Sequence, residues 1–284
     1  MLRMTVARYP QYRDHERQRI QTNDTMMGLL AGSKLASQTL RLTEGSGLVL
    51  SQIFSRVEHI ERFNLRTDKA REILDDAENL LGILAVPQVI GLQEDLLKGM
   101  LLLLATTPAE IKQSEDVKAA FVHDRFESVA GPTFTAESVE LFHLVRVARN
   151  THIHAGGRAD TKLINRYKKT SPEALAVWEH ITGGSLPEYS KHDNVKLGLL
   201  ELIGILALSK RLSEEANVAL QSALPATAWC DLVVEDWLAT KRTGNEKQVL
   251  RQLLGFARHG YAVLGLSDDD LLQAMDRARQ YAKQ

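Results

Sequence analysis

Apolar residues at three- and four-residue spacing run through most of this chain, and this spacing limits the folds open to it. Such a period places apolar side chains on one face of an α-helix. No segment of useful length alternates with the two-residue period of a β-strand, and only seven prolines interrupt the 284 residues. The sequence therefore predicts an all-α fold, a helical bundle with additional C-terminal helices.

The predicted helices before residue 213 cover 26–42, 49–63, 68–84, 92–105, 108–130, 135–155, 172–181 and 194–212. Pro87 is expected to end the third helix, because a proline ring clashes with the preceding turn. The fourth is apolar on nearly every side, which predicts a place at the centre of the bundle. Three or four shorter helices follow, with breaks near Pro225, Gly244 and Leu266–Ser267.

These patterns indicate three regions along the chain. Residues 1–22 form a polar, arginine-rich lead-in, residues 23–212 form the main helical bundle, and residues 213–284 form a C-terminal helical subdomain. The boundary near residue 212 is placed where the composition changes.

Composition and charge exclude several classes of protein. Apolar residues make up 44% and charged residues 25% of the chain, which is the balance of an ordinary globular domain. The net charge of -1 excludes a polybasic nucleic-acid binder, so any nucleic-acid role must come from a local patch. The single cysteine, Cys230, fits a reducing, cytoplasmic location. The longest apolar runs, 99–106 and 197–208, are shorter than a spanning helix, so no membrane segment is predicted.

One short stretch carries a pattern with chemical meaning. Arg149, Asn150 and His154 form the pattern Arg-Asn-x-x-x-His at the end of a predicted helix, and the small turn Ala155-Gly156-Gly157 follows. This pattern resembles the hallmark of the HEPN superfamily of helical proteins, in which an arginine and a polar residue precede a histidine. The resemblance covers the motif helix and the surrounding bundle and leaves the C-terminal helices uncovered.

The resemblance implies metal-independent cleavage of RNA, without a cofactor or a metal ion. RNA carries its own nucleophile, the ribose 2′-hydroxyl. In this reading His154 moves protons as a general base or acid. The forked guanidinium of Arg149 holds phosphate oxygens, and Asn150 orients the histidine or the phosphate. The expected products carry a 2′,3′-cyclic phosphate and a 5′-hydroxyl.

The resemblance also implies partners and a setting. Similar proteins bring two motif helices together, so a homodimer through this helix is expected, with RNA in the cleft between subunits. A toxin or phage-defence effector under the control of a regulatory protein partner is the setting that the family suggests. The alternative is a non-catalytic helical module that binds nucleotides, RNA or a protein, with the helices after Leu212 as a docking domain.

Helix geometry sorts the residues around the motif into two faces. At about 100° per residue, one face is polar and consists of His143, Arg146, Asn150 and His154. The first two of these are assigned to substrate binding. The opposite face is apolar and is expected to pack into the bundle; it consists of Leu141, Leu144, Val145, Ala148 and Ala155. Arg149 lies about 140° from His154 on an ideal helix. Its side chain therefore swings back, the helix loosens before Gly156, or Arg149 completes a site in the other subunit.

His152 and a basic cluster complete the candidate residues. His152 falls on the apolar side of the helix and is interpreted as a hydrogen-bonded core histidine. It points about 200° away from His154, so the two cannot share a metal ion. The basic cluster that follows the motif consists of Arg158, Lys162, Arg166, Lys168 and Lys169. This cluster is either a solvated helix face or a contact with the RNA backbone. The second interpretation assigns Arg158, Lys162 and Arg166 to substrate binding.

Overall fold

The computed structural model describes residues 5–240 and 246–281. Within these residues the protein is all-α, with thirteen α-helices, two short 3-10 helices and no β-strand, which confirms the predicted helical bundle with additional C-terminal helices. The α-helices are α1 (Pro10–Arg41), α2 (Leu50–Ile53), α3 (Thr67–Asp75), α4 (Ala77–Leu104), α5 (Pro108–Asp116), α6 (Val122–Ala130), α7 (Ala136–His154), α8 (Thr161–Lys168), α9 (Pro172–Thr182), α10 (Leu199–Ala223), α11 (Ala226–Leu238), α12 (Glu246–Gly260) and α13 (Asp268–Tyr281). The 3-10 helices are Ile60–Phe63 and Ala262–Leu264.

The chain divides into two compact units that interleave along the sequence. The first unit takes the described residues of 1–18, 91–140 and 208–284, and the second takes 19–90 and 141–207. The helices α1, α4, α7 and α10 therefore each contribute to both units. Each unit joins segments that are far apart in the sequence, whereas the predicted regions 1–22, 23–212 and 213–284 follow the order of the chain and stay a prediction.

The core of the first unit is rich in aromatic side chains. Tyr9 and Trp229 are buried, and their ring centroids lie 5.6 Å apart in an edge-to-face arrangement. The buried carboxylate of Asp236 accepts hydrogen bonds from Arg13 at 2.7 and 2.8 Å and from the Tyr261 hydroxyl at 2.6 Å. Burial and the bond to Asp236 raise the pKa of Tyr261, so its hydroxyl stays a donor. This network ties the start of α1 to α11 and to the end of α12.

In the second unit, two glycines allow close approach of packed segments. A Cβ on Gly82 in α4 would overlap the carbonyl oxygens of Leu197 and Gly198, so only glycine permits this backbone contact. A Cβ on Gly204 in α10 would overlap the ring of the fully buried Trp178. These contacts fix α4 and α9 against α10 and the residues that precede it.

Pro87 lies inside α4, so the prediction that it ends a helix is wrong. The break between α3 and α4 lies at Asp76 instead. Helix α4 therefore covers the end of the predicted helix over 68–84 and most of the predicted helix over 92–105. A proline inside a helix costs about 3 kcal/mol. Burial of the side chains around it offsets that cost, since four of them are fully buried: Ala85, Val86, Val89 and Ile90.

The same helix bears on the prediction of no membrane segment. Among the described residues, α4 is the one helix that is long and apolar enough to cross a membrane by length and composition. Of its most apolar stretch, 44% is buried inside the protein. A core helix meets the same criteria of length and composition, and Gln93 in α4 accepts a buried hydrogen bond from Ser209 at 2.9 Å.

The predicted helix over 49–63 is wrong over most of its length. Only Leu50–Ile53 and the 3-10 helix Ile60–Phe63 are helical in this region. Val57 and Phe63 are 54% and 74% exposed. The apolar period that suggested the helix therefore does not produce a buried face.

Other boundaries shift as well. The predicted helix over 108–130 is two helices, α5 and α6, and α8 lies in a stretch where only α9 was predicted. Helix α1 begins at Pro10, inside the arginine-rich lead-in, and α10 continues to Ala223. The break at Pro225 is confirmed, since α11 begins after it. The break predicted near Gly244 lies outside the described residues.

Candidate functional site

The motif occupies the C-terminal end of α7, a helix that the sequence predicted over 135–155. The helix starts after Thr135, whose N–H donates to a Glu215 carboxylate oxygen at 3.0 Å. It ends at His154, before Gly156 and Gly157, whose φ angles of 60° and 74° are left-handed and suit glycine. The residues of its predicted apolar face are buried, except that Ala155 lies beyond the helix end and is exposed. That part of the prediction is wrong.

Arg149 and Asn150 are joined by a hydrogen bond. Arg149 Nη1 donates to Asn150 Oδ1 at 2.9 Å, and both side chains are half-buried. Because α7 stays α-helical through His154, the helix does not loosen before Gly156. The Arg149 side chain instead bends toward the face that carries Asn150.

The Arg149 guanidinium is only partly satisfied. Its Nε is buried and has no hydrogen-bond partner among the described residues. An unpaired buried donor costs about 1–3 kcal/mol. The Nε of Arg125 is in the same state, so this cost alone does not mark Arg149 as a binding or catalytic residue.

His154 is exposed at the last residue of α7, one turn after Asn150. Within the described residues its ring makes no hydrogen bond or ion pair. The neighbouring Ile153 is 54% exposed. The helix end therefore presents an unengaged imidazole beside an apolar side chain.

The other two residues of the predicted polar face bond to each other. Arg146 Nε donates to His143 Nδ1 at 3.0 Å, which leaves the ring proton of a neutral His143 on Nε2. His143 is 8% exposed, because every residue over 141–145 is buried. The polar face thus enters the protein interior towards the middle of α7 and reaches the surface only near the motif.

His152 joins the end of α7 to a distant segment of the second unit. Its Nε2 donates to the Val195 carbonyl oxygen at 2.6 Å. A Cβ on Gly157 would lie 3.2 Å from the His152 ring, so the ring packs directly on the turn that ends the helix. The predicted hydrogen bond of His152 is confirmed, whereas the predicted place in the core is wrong, because the side chain is only half-buried.

The residues after this turn pair with the same distant segment. The Ala159 N–H donates to the Asp193 carbonyl and the Val195 N–H to the Gly157 carbonyl, both at 2.8 Å, and Arg158 and Asn194 form an antiparallel bridge. Sequence reasoning missed this pairing. No alternating pattern marks either short segment, and the partners are far apart in the chain.

The predicted basic cluster begins at Arg158, inside this pairing, and continues into α8. Arg158 is exposed and its Nη1 donates to the His192 carbonyl at 3.3 Å. Lys162 is exposed on α8, and Arg166 on the same helix is half-buried. Asp160 caps α8 by accepting a hydrogen bond from the Leu163 N–H at 2.9 Å.

Over residues 5–240 and 246–281, no group of three or more His, Cys, Asp or Glu side chains is placed to hold a metal ion. No protein-family model matches the chain, and no curated protein or solved structure is found to match it. The likeness to the HEPN superfamily therefore rests on the motif and on its helical setting.

Proposed function

We propose that this chain is a metal-independent endoribonuclease of the HEPN type, with Arg149, Asn150 and His154 as its catalytic residues. One observation carries the proposal. Arg149 is held by Asn150 through a 2.9 Å hydrogen bond, one turn before the exposed and unengaged ring of His154. A forked cation and a free imidazole at one helix end are the groups that cleavage by the 2′-hydroxyl requires.

In the proposed reaction the 2′-hydroxyl oxygen attacks the adjacent phosphorus and the bond from phosphorus to the 5′-oxygen breaks. His154 takes the proton of the 2′-hydroxyl. The departing 5′-oxygen receives a proton from water or from the His154 of a second subunit. The Arg149 hydrogens that Asn150 does not use bind the non-bridging oxygens and stabilise the charge that develops on them.

The position of the site creates an electrostatic requirement. The carboxyl end of a helix carries about half a negative charge from its unpaired carbonyls. Phosphate binding at the end of α7 therefore depends on side-chain cations. Arg149 supplies one within the motif, and Arg158, Lys162 and Arg166 follow it in the chain.

The proposal includes a homodimer in which two α7 ends face each other around the RNA. The exposed Ile153 beside His154 gives this contact an apolar element. The proposed setting is a cytoplasmic toxin or phage-defence effector that a regulatory protein partner holds inactive.

The test compares the full-length protein with two histidine variants on RNA in excess EDTA. His154→Ala is expected to reduce cleavage by about 100-fold or more, because general acid–base catalysis contributes at least that much. His180→Ala removes an exposed histidine from α9 and is expected to leave cleavage unchanged. Equal cleavage by all three proteins would reject the role of His154. RNA binding without cleavage, unchanged in His154→Ala, would favour the non-catalytic module.

A further inference from the structure

The pairing of residues 157–159 with 192–195 brings a second basic segment to the end of the motif helix. His152 at the end of α7 donates to the Val195 carbonyl at 2.6 Å. The next residue, Lys196, is exposed, whereas Val195 is buried. Lys196 therefore follows directly on the residue that holds the end of α7.

Lys191 lies at the other end of this segment, beside Arg158. The His192 N–H donates to the Ala159 carbonyl at 2.9 Å, and Arg158 Nη1 donates to the His192 carbonyl at 3.3 Å. Lys191 precedes His192 and is exposed. Lys191 and Lys196 therefore flank the segment 192–195, which pairs with the residues around Arg158.

Four exposed cations lie on the paired segments or within a few residues of them, and we call them the basic rim: Arg158, Lys162, Lys191 and Lys196. None of them forms an ion pair with another residue of the described chain. The nearby carboxylates of Asp160 and Asp193 accept hydrogen bonds from the backbone N–H groups of Leu163 and Ser190, at 2.9 and 2.8 Å. Glu201 also lines a cavity with Lys196 and accepts a hydrogen bond from the Gly198 N–H at 2.7 Å. These three carboxylates against four cations leave a surplus of positive charge on the rim.

The end of α7 does not by itself explain this surplus. A helix terminus offers about half a negative charge, and Arg149 already places a cation near that end of α7. Several exposed cations without ion-pair partners on neighbouring segments repel each other and favour an anionic ligand with several charges. A nucleic-acid backbone supplies such charges at regular spacing.

We propose that Lys191 and Lys196, together with Arg158 and Lys162, bind the phosphate backbone of RNA beside the Arg149–His154 site. The choice of RNA as the ligand rests on the proposed function. Lysine side chains contact phosphates as flexible point charges and do not read base edges. The basic rim therefore contributes affinity and not sequence specificity.

The salt dependence of RNA binding tests this inference. Binding of a labelled oligouridine of about 16 nucleotides is measured by fluorescence anisotropy, with the full chain carrying His154→Ala to prevent cutting. Each neutralised phosphate of a single strand contributes about -0.7 to the slope of log affinity against log salt. Lys191→Ala with Lys196→Ala is expected to reduce this slope by about 1.4. Between about 50 and 200 mM salt, the double variant then loses about seven-fold less affinity than its parent.

The matched control removes the same charge elsewhere. Lys112→Ala with Lys118→Ala changes two exposed lysines in α5 and just after it, and the parental slope is expected to remain. Equal slopes for the two double variants would overturn the inference, and so would a parent chain that does not bind RNA. If the slopes are as expected but the unmodified protein does not cleave RNA, the basic rim is upheld and the proposed function is rejected.

Discussion

The hydrogen bond from His152 to Val195 holds the end of the motif helix, and its removal has a predictable cost. In His152→Ala the carbonyl of Val195, a residue that is 4% exposed, loses its partner at 2.6 Å. Leaving a buried acceptor unpaired costs about 1–3 kcal/mol. Loss of the ring contact with Gly157 adds to that cost. We expect the pairing of 157–159 with 192–195 to open about 2 kcal/mol more easily.

Native-state hydrogen exchange measures this opening directly. The amide hydrogens of Val195 and Ala159 are bonded across the pairing at 2.8 Å, so both exchange when it opens. A change of about 2 kcal/mol corresponds to exchange that is about 30-fold faster. His152→Gln can still donate to the Val195 carbonyl and is expected to recover most of the protection. His180→Ala is expected to leave both rates unchanged.

If both amides exchange at their original rates in His152→Ala, backbone bonds alone hold the pairing and His152 does not secure the helix end. The amide of Trp229 in α11 reports on the first unit, and its rate is expected to stay constant. Acceleration there as well would mean that the substitution loosens more than the pairing.

Two further predictions concern the packing of each unit. Gly82→Ala forces a Cβ into a backbone contact and is expected to lower the free energy of unfolding in urea by about 3 kcal/mol. Gly91→Ala in the same helix has open space and is expected to raise it by up to about 1 kcal/mol. Similar stabilities for the two variants would contradict the close approach. Asp236→Asn removes the charge that Arg13 binds and is expected to cost about 2 kcal/mol, since Arg13 is partly exposed. Asp231→Asn, in an exposed pair, is expected to cost less than about 1 kcal/mol, and equal losses would refute the role of the buried network.

Local chemistry made the fold class and the motif helix predictable. The apolar period shows where most of the helices form, and Gly156 and Gly157 end α7 through short-range geometry. The hydrogen-bonded state of His152 followed from its place on the apolar side of the same helix. The helical period and the helix end depend on residues within a few turns of one another, whereas the partner of His152 could not be predicted, since it lies 43 residues away.

Other features depend on contacts between distant segments and were not predictable. Pro87 stays inside α4 because its surroundings are buried, which no local rule anticipates. His143 belongs to a polar face by helix geometry but is buried because the middle of α7 is enclosed. The pairing that brings Lys191 and Lys196 to the motif carries no periodic signal at all.

We propose that the RNA 2′-hydroxyl is the nucleophile at the Arg149–His154 site. The most direct test maps the chemical ends of a defined RNA after incubation with the full-length protein and with His154→Ala, in excess EDTA. We predict 2′,3′-cyclic phosphate and 5′-hydroxyl ends from the unmodified protein alone, and no cut where the 2′-hydroxyl is replaced by hydrogen. Free 3′-hydroxyl ends would contradict attack by the 2′-hydroxyl, and the same cyclic-phosphate ends from both proteins would contradict the role of His154.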